Sequence, residues 1–252
     1  MNRRHITVHS HGMGVQSCTI RHLYTSGRWP KPDLAIFADT QAEPEHVYEV
    51  LQRERHECER AGVELVTVTK GDLSATDRWG GLYIPAFTLN HRGDEGMLRR
   101  QCTHEFKVTP IRRELRRRGA TKVELWLGIS TDEIARAKPA GVQWTTHRWP
   151  LLELGMSRED CRALLERNEI DAGRSACVFC PYHSDREWLD IKRNPRDWQA
   201  AVEYDRQVRD KRSKGGDVFV HRDRIPLEQV TFADPDMQPG LWDEECTGGC
   251  GL

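Results

Sequence analysis

The chain has 252 residues with 38 basic and 39 acidic side chains, so its formal charge is -1 and its mean hydropathy is -0.71. We expect no membrane span, because no segment approaches the roughly 18 apolar residues that a membrane helix requires, and no secretory signal, because the basic N-terminus lacks an apolar core. Eight cysteines in a chain this long favour a reducing, cytoplasmic location, with thiols kept for metal binding or catalysis.

The first half of the chain alternates predicted strands and helices. The strands are predicted at 6–9, 33–37, 63–68 and 123–127, and the helices at 17–26, 43–61 and 103–119. This alternation with short connections predicts an α/β fold with a doubly wound, mostly parallel sheet. In such folds, ligands bind beyond the carboxyl ends of the strands.

The second half is predicted to be helical and irregular. Helices are predicted at 157–168, from 184 onward, and from 195 to 212. We therefore predict three regions: an α/β nucleotide-binding domain at 1–150, a helical subdomain with cysteines at 151–224, and an acidic flexible tail at 225–252. The tail contains no Lys or Arg.

The first connection, Ser10–Ser17, carries the residues of an anion-binding turn. Gly12 and Gly14 allow backbone N–H groups to approach an anion, and the following helix adds its positive end. Ser10 and Ser17 add hydroxyl donors. The alternative is an ordinary tight turn between a strand and a helix, and the segment lacks the Gly-Lys-Ser/Thr of a Walker A loop.

A basic segment at 99–118 contains eight cations and two anions, so its net charge is +6. Arg99, Arg100 and Lys107 flank a cysteine ahead of the helix, which favours a clamp for phosphate or sulfate. For the arginines at 116–118, a solvated helix face is an equal alternative.

Cys177 and Cys180 form a Cys-x-x-Cys pair, which in a cytosolic chain is half of a metal site or a redox dithiol. With Cys102 and Cys161, four thiolates would converge on a [4Fe–4S] cluster, or alternatively on a structural zinc. Cys161 has a second interpretation as a buried helix thiol.

The tail carries two further thiols, Cys246 and Cys250, separated by Thr-Gly-Gly. Thiols at a flexible end have little role in packing. We interpret them as a nucleophile or sulfur carrier, with additional metal ligands and idle thiols as alternatives.

Several segments resemble, in order, the motifs of one family. They are Gly12–Ser17 (GMGVQS), Phe37–Thr40 (FADT) with Glu43, Cys102–Pro110 (CTHEFKVTP), Gly128–Arg136 (GISTDEIAR), and Cys246 with Cys250–Leu252. On these motifs the chain resembles the phosphoadenosine phosphosulfate (PAPS) reductase family, in the adenine nucleotide α-hydrolase-like superfamily with the PP-loop ATP pyrophosphatases. The segment at Cys102 is most similar to the ATP pyrophosphatase of DNA phosphorothioation.

The resemblance implies a Rossmann-like fold and an adenine nucleotide, ATP or PAPS, with magnesium considered as well. It implies catalytic roles for Lys107, Cys246 and Cys250. Together with the turn and the basic segment, it gives the predicted nucleotide contacts: Ser10, Gly12, Gly14, Gln16, Ser17, Asp39, Thr40, Arg99, Arg100, Gly128, Asp132 and Arg136.

The chain departs from the family's motifs at three places. In the tail, Thr-Gly-Gly is inserted after Cys246, and the family's terminal His is missing. Gln16 stands where a pyrophosphatase loop has Asp, and Gln101–Cys102 stands where iron–sulfur reductases of sulfonucleotides have adjacent cysteines.

The favoured function is an enzyme that activates a substrate with ATP, releasing pyrophosphate, and then inserts sulfur into a nucleic acid or a small molecule. The alternative is a reductase in which a thiol attacks PAPS or its relative APS and releases sulfite. A third hypothesis is a non-enzymatic, metal-stabilised module that binds nucleic acid. The partners considered are a sulfur donor protein or a thioredoxin-like reductant.

Overall fold

The computed structural model of the chain describes residues 4–75, 82–209 and 216–233. Its strands are β1 (His5–Ser10), β2 (Leu34–Asp39), β3 (Glu64–Thr69), β4 (Phe87–Asn90), β5 (Glu95–Met97), β6 (Lys122–Trp126), β7 (Thr145–Arg148) and β8 (Gly216–Phe219). Its α-helices are α1 (Val15–Thr25), α2 (Glu45–Arg60), α3 (Thr109–Arg117), α4 (Pro150–Glu153), α5 (Arg158–Arg167), α6 (Asp185–Arg193) and α7 (Pro195–Arg209). A π-helix at Thr103–Val108 leads into α3, and 3₁₀ turns lie at Thr131–Arg136 and Leu227–Gln229.

A five-stranded sheet organises the first part of the chain, in the order β3-β2-β1-β6-β7. All four strand pairs are parallel, with Val8 opposite both Leu34 and Leu125. The predicted α/β fold with a parallel sheet is therefore confirmed. The strands β2 and β3 lie on one side of β1, and β6 and β7 lie on its other side. The strand order reverses between β1 and β6, and the loops after these two strands diverge there and leave a crevice for a ligand.

Helices cover both faces of this sheet, which is why its strands are rich in apolar residues. Ala35 and Phe37 belong to one core with residues of α1, α2 and α5. Leu34 and Ile36, which alternate with them along β2, belong to another core with residues of α3. The alternation of the strand thus feeds two separate cores and makes the sheet doubly wound.

A second sheet, which the sequence did not predict, is antiparallel in the order β5-β4-β8. Phe87 of β4 lies opposite Met97 on one side and Phe219 on the other. This sheet shares a third core with α6 and α7, in which Trp188 and Val208 are fully buried.

Elements of the predicted second and third regions pack against the first. The helix α5 contributes Cys161 to the core beneath α1, and β8 pairs with β4. Leu227 and Val230 are buried although the sequence predicted a flexible tail from 225. The division of the chain into three regions stays a prediction. No helix within the described residues combines the length and the hydropathy that a membrane crossing requires.

Candidate functional site

The turn between β1 and α1 has the geometry of an anion-binding loop. Gly14 is the N-cap residue of α1; its N–H donates to Ser17 Oγ at 3.1 Å, and the Ser17 hydroxyl donates to the Gly14 carbonyl at 3.0 Å. Met13 has a φ of 62°, a left-handed conformation that residues with side chains rarely adopt. The loop leads directly into the first turn of α1, whose N–H groups have no partner within the helix and can bind an anion.

A buried polar network supports this loop from behind. The Met13 N–H donates to His11 Nδ1 at 3.2 Å, which leaves the proton of a neutral ring on Nε2, 2.8 Å from Glu54 Oε2. Arg21 binds both oxygens of Glu54, at 2.8 and 2.6 Å. Burial raises the pKa of Glu54, but hydrogen bonds from His11 and Arg21 outweigh this effect and lower the pKa to about 2.

Donor atoms of His11, Cys18 and Glu54 lie within 4.8 Å of one another, a spacing that metal ligands share. The network is nevertheless complete without a cation, because Arg21 occupies both carboxylate oxygens and brings its own positive charge. We therefore interpret this group as a hydrogen-bonded support for the loop.

A cleft opens at the carboxyl ends of β1 and β6, where the topology places a ligand. Predicted nucleotide contacts that line it are Ser10, Gly12, Gly14, Gln16, Ser17, Lys107, Gly128 and Arg136. His11 and Ser175 line it as well, and the sequence did not predict them. Its volume of about 140 Å³ is below the roughly 300–1,000 Å³ of pockets that enclose a whole drug-sized ligand, so it suits a phosphate group with the rest of the ligand outside.

Gln16 and Gly128 form the contact between the two loops of the cleft, which follow β1 and β6. A Cβ atom on Gly128 would lie 3.1 Å from Gln16 Cβ and 3.2 Å from the Ser17 backbone nitrogen, so a larger residue here would force the first loop to move by a few tenths of an ångström. Gln16 Nε2 donates to Glu133 Oε2 at 3.2 Å, and Glu133 pairs with Arg136 at 2.6 Å. Gln16 thus holds the segment that carries Arg136.

Four predicted nucleotide contacts have other roles or positions in the structure. Asp132 accepts the Arg158 N–H at 2.8 Å, at the start of α5. Asp39 accepts hydrogen bonds from the Tyr48 hydroxyl at 3.0 Å and the Gln41 N–H at 2.8 Å. Arg99 and Arg100 are not among the residues that line the cleft; the Arg100 guanidinium lies 5.5 Å from the centre of the Tyr182 ring.

Thr40 and Glu43 connect the cleft to the cysteines. Lys107, which lines the cleft, has its Nζ 3.5 Å from Glu43 Oε1. Thr40 is fully buried, and its hydroxyl donates to the same carboxylate oxygen at 3.1 Å. Thr40 Oγ1 also lies 3.4 Å from Cys177 Sγ. A continuous series of contacts therefore leads from Lys107 in the cleft to the thiol of Cys177.

Three of the predicted metal ligands lie in one region. Cys102 and Cys177 pack against the third core, and the Cys180 N–H donates to the Cys177 carbonyl at 2.9 Å. Burial raises the pKa of the Cys177 thiol well above its usual value, and the charges of Glu43 and Cys102 add to this rise, whereas Lys107 opposes it. A cation beside Cys177 would favour the thiolate form of this residue.

Cys161 lies in a different core from the one against which Cys102 and Cys177 pack, and its place in the four-cysteine set stays a prediction. Cys161 lies on the inner face of α5 with Leu164 and Leu165, in the core shared with α1. Burial raises the pKa of this thiol to about 11. Cys161 lies in this core because the amphipathic pattern of α5 directs this face of the helix toward α1. The alternative interpretation, a buried helix thiol, fits its position.

The spacing of the three cysteines bears on the choice of metal. A tetrahedral zinc with Zn–S bonds of about 2.3 Å holds its sulfur atoms about 3.8 Å apart. In the described part of the chain, the one group of donors found within 4.8 Å is the His11 group, not these cysteines. The three cysteines therefore do not have the spacing of a tetrahedral zinc site in this structure, and the choice between a cluster and zinc stays a prediction.

The predicted catalytic thiols Cys246 and Cys250 lie outside the described residues.

Comparisons with known proteins give matches to solved structures at low sequence identity. Neither a protein-family model nor a curated protein sequence matches the chain. A phosphoadenylyl-sulfate (PAPS) reductase from Candida auris, solved as a phosphate complex, is 13% identical over 74% of this chain and 77% of that chain, with a TM-score of 0.43. The U34-tRNA thiolase NcsA from Methanococcus maripaludis, with its [4Fe-4S] cluster, is 14% identical over 100% of this chain and 82% of that chain, with a TM-score of 0.46.

Proposed function

We propose that the chain is a sulfur-handling enzyme that binds the phosphates of an adenine nucleotide in the cleft and uses a metal centre at Cys102, Cys177 and Cys180. The observation that carries this proposal is the series of contacts from Lys107 through Glu43 and Thr40 to Cys177. Two sites of different chemistry that share buried side chains are best explained by one reaction that uses both.

The cleft supplies what a phosphate requires. The N-terminus of α1 presents N–H groups, and Lys107 and Arg136 add positive charge. The motif resemblance supports an adenine nucleotide as the ligand. We favour ATP over PAPS because the segment at Cys102 is most similar to an ATP pyrophosphatase.

In the proposed reaction, an oxygen of the substrate attacks the α-phosphorus of ATP, and the bond to the leaving pyrophosphate breaks. A sulfur nucleophile then attacks the activated carbon and displaces AMP, so that sulfur takes the place of the original oxygen. Lys107, Arg136 and the loop N–H groups stabilise negative charge on the phosphate oxygens, typically by a few kcal/mol for each well-placed donor. An iron–sulfur cluster, when bound, would supply a redox-active centre that can hold sulfur. The acceptor in this proposal is a nucleic acid or a small molecule.

The test compares two substrates with anaerobically purified protein. We expect pyrophosphate release from ATP in the presence of the acceptor, and a loss of about 100-fold or more in Lys107→Ala. Arg113→Ala is the matched control, because Arg113 is an exposed cation on α3 outside the cleft. Sulfite release from PAPS instead would identify the alternative reductase. Failure to bind or convert either nucleotide would refute the proposal.

A further inference from the structure

The carboxylate of Glu43 is only partly satisfied by hydrogen bonds. Its side chain is fully buried, and its Oε2 has no hydrogen-bond partner in the described structure. Leaving a charged group buried and partly unsatisfied costs several kcal/mol, and such atoms usually mark an ion or a water. This oxygen therefore requires a partner that the described residues do not provide.

Lys107 does not satisfy this requirement. Its Nζ lies 3.5 Å from Oε1, the other oxygen, which is longer than the roughly 2.7–2.9 Å of a strong charge-assisted hydrogen bond. Oε1 also accepts the Thr40 hydroxyl. Lys107 lines the phosphate cleft, so its positive charge is shared with that site.

The surroundings of Glu43 are those of a cation site. Thr40 touches both the carboxylate and Cys177 Sγ, at 3.1 and 3.4 Å. Cys102 lies close enough to Cys177 to affect its electrostatics. A buried carboxylate beside two buried or half-buried thiols repels further negative charge and is stabilised by a cation bound among them.

We propose that Glu43 is the fourth protein donor to the metal centre of Cys102, Cys177 and Cys180, in the place that the sequence assigned to Cys161. This inference rests on the proposed function, because it presupposes a metal at the cysteines. It assigns the centre a set of three thiolates and one carboxylate. A carboxylate is a harder ligand than a thiolate, so it would hold one metal position less tightly than the other three.

The experiment reconstitutes the full chain anaerobically with ferrous iron and sulfide and measures iron and sulfide content, the EPR spectrum after reduction, and the rate of iron loss to a chelator. Cys177→Ser establishes that iron is bound at the cysteines. We expect Glu43→Gln to lose iron at least tenfold faster than the wild type, with a changed EPR spectrum. Glu43→Cys should restore slow loss by supplying a thiolate.

Glu45→Gln is the matched control, because Glu45 is an exposed carboxylate two residues further along the chain, and this variant should behave as the wild type. Circular dichroism checks that each variant is folded; if Glu43→Gln does not fold, Glu43→Cys must still change the EPR spectrum. Wild-type spectra and chelation rates in both Glu43 variants would overturn the inference and leave the proposed function intact. A wild type that binds no iron at its cysteines would overturn both.

Discussion

Replacing Glu54 with Gln should destabilise the protein and loosen the phosphate loop. Glu54 is fully buried on α2 and accepts hydrogen bonds from both His11 and Arg21. Gln keeps the shape of the side chain but removes the negative charge, so the buried Arg21 guanidinium loses its counter-ion. Breaking one partner of a buried ion pair typically costs about 3–5 kcal/mol.

The pKa of Glu54 predicts a similar loss in the free energy of unfolding. It is about 2 in the folded chain against an ordinary value of 4.5. Because the folded pKa is the lower one, the ionised carboxylate stabilises the fold above pH 4.5, by about 3 kcal/mol at 1.36 kcal/mol per pH unit. This contribution is lost as the pH falls toward 2, and about 1 kcal/mol remains at pH 3.

Chemical denaturation of wild type and Glu54→Gln at pH 7 and pH 3 measures both effects. We expect the difference in the free energy of unfolding to be about 3 kcal/mol or more at pH 7 and to shrink by about 2 kcal/mol at pH 3. The control is Glu49→Gln, an exposed carboxylate on the same helix, which should change stability by less than about 0.5 kcal/mol. A Glu54→Gln effect that matches this control, or that does not depend on pH, would refute the reasoning.

Three further substitutions test other parts of the structure. Gly128→Ala should weaken binding of pyrophosphate by about 1–3 kcal/mol, measured by calorimetry, because its new methyl group would press on Gln16 and the loop; unchanged affinity would contradict the close approach. Cys161→Ser should lower the free energy of unfolding by about 1–3 kcal/mol while iron content stays at the wild-type value; lost iron would return Cys161 to the metal site. Asp205→Asn should cost about 1–3 kcal/mol in urea denaturation, because Asp205 accepts the N–H groups of both Val220 and Leu227, and an unchanged midpoint would count against this role.

The first four parallel strands could be predicted because each is an apolar run bounded by turn residues. The fifth, β7, could not, since Thr-Thr-His-Arg at 145–148 has no apolar run and becomes a strand through its pairing with β6. The second sheet could not be predicted for the same reason. Its strands are three or four residues long, and the partner of Phe87 is Phe219, far away in the sequence. Pairing of such short strands depends on tertiary contacts that local patterns do not contain.

In the candidate site, too, some residues could be predicted from the sequence and others could not. Glycines and hydroxyls of the β1–α1 loop could be predicted, because the backbone of such a turn demands those residue types at fixed positions. The roles of Glu43 and Cys161 could not, because each depends on which face of a helix or turn meets the core. The thiol at 161 is a plausible ligand by type, yet its helix packs it against α1, whereas the Glu43 carboxylate lies beside the thiol of Cys177.

The basic segment at 99–118 also has a different meaning in the folded chain. Arg117 and Arg118 bind Glu114, and Arg118 also binds Glu64, so these charges stabilise α3 and its contact with β3. Two residues of this segment, Lys107 and Ile111, line the cleft, and Lys107 is the one cation among them. The anion-binding capacity of the site therefore comes from one placed lysine, Arg136 and the loop N–H groups rather than from a broad positive surface.

Both cations of the cleft are paired with carboxylates, Lys107 with Glu43 and Arg136 with Glu133. A phosphate must share or displace these partners, so part of its binding energy is spent on the exchange. For Lys107 the exchange has a second consequence, since a lysine drawn toward phosphate leaves Glu43 more negative beside Cys177. The Glu43 carboxylate, whose charge Lys107 then neutralises less, attracts a cation at the cysteines more strongly. By thermodynamic reciprocity, a bound cation favours phosphate binding. The Lys107–Glu43 pair thus provides a physical reason for the two sites to be occupied together.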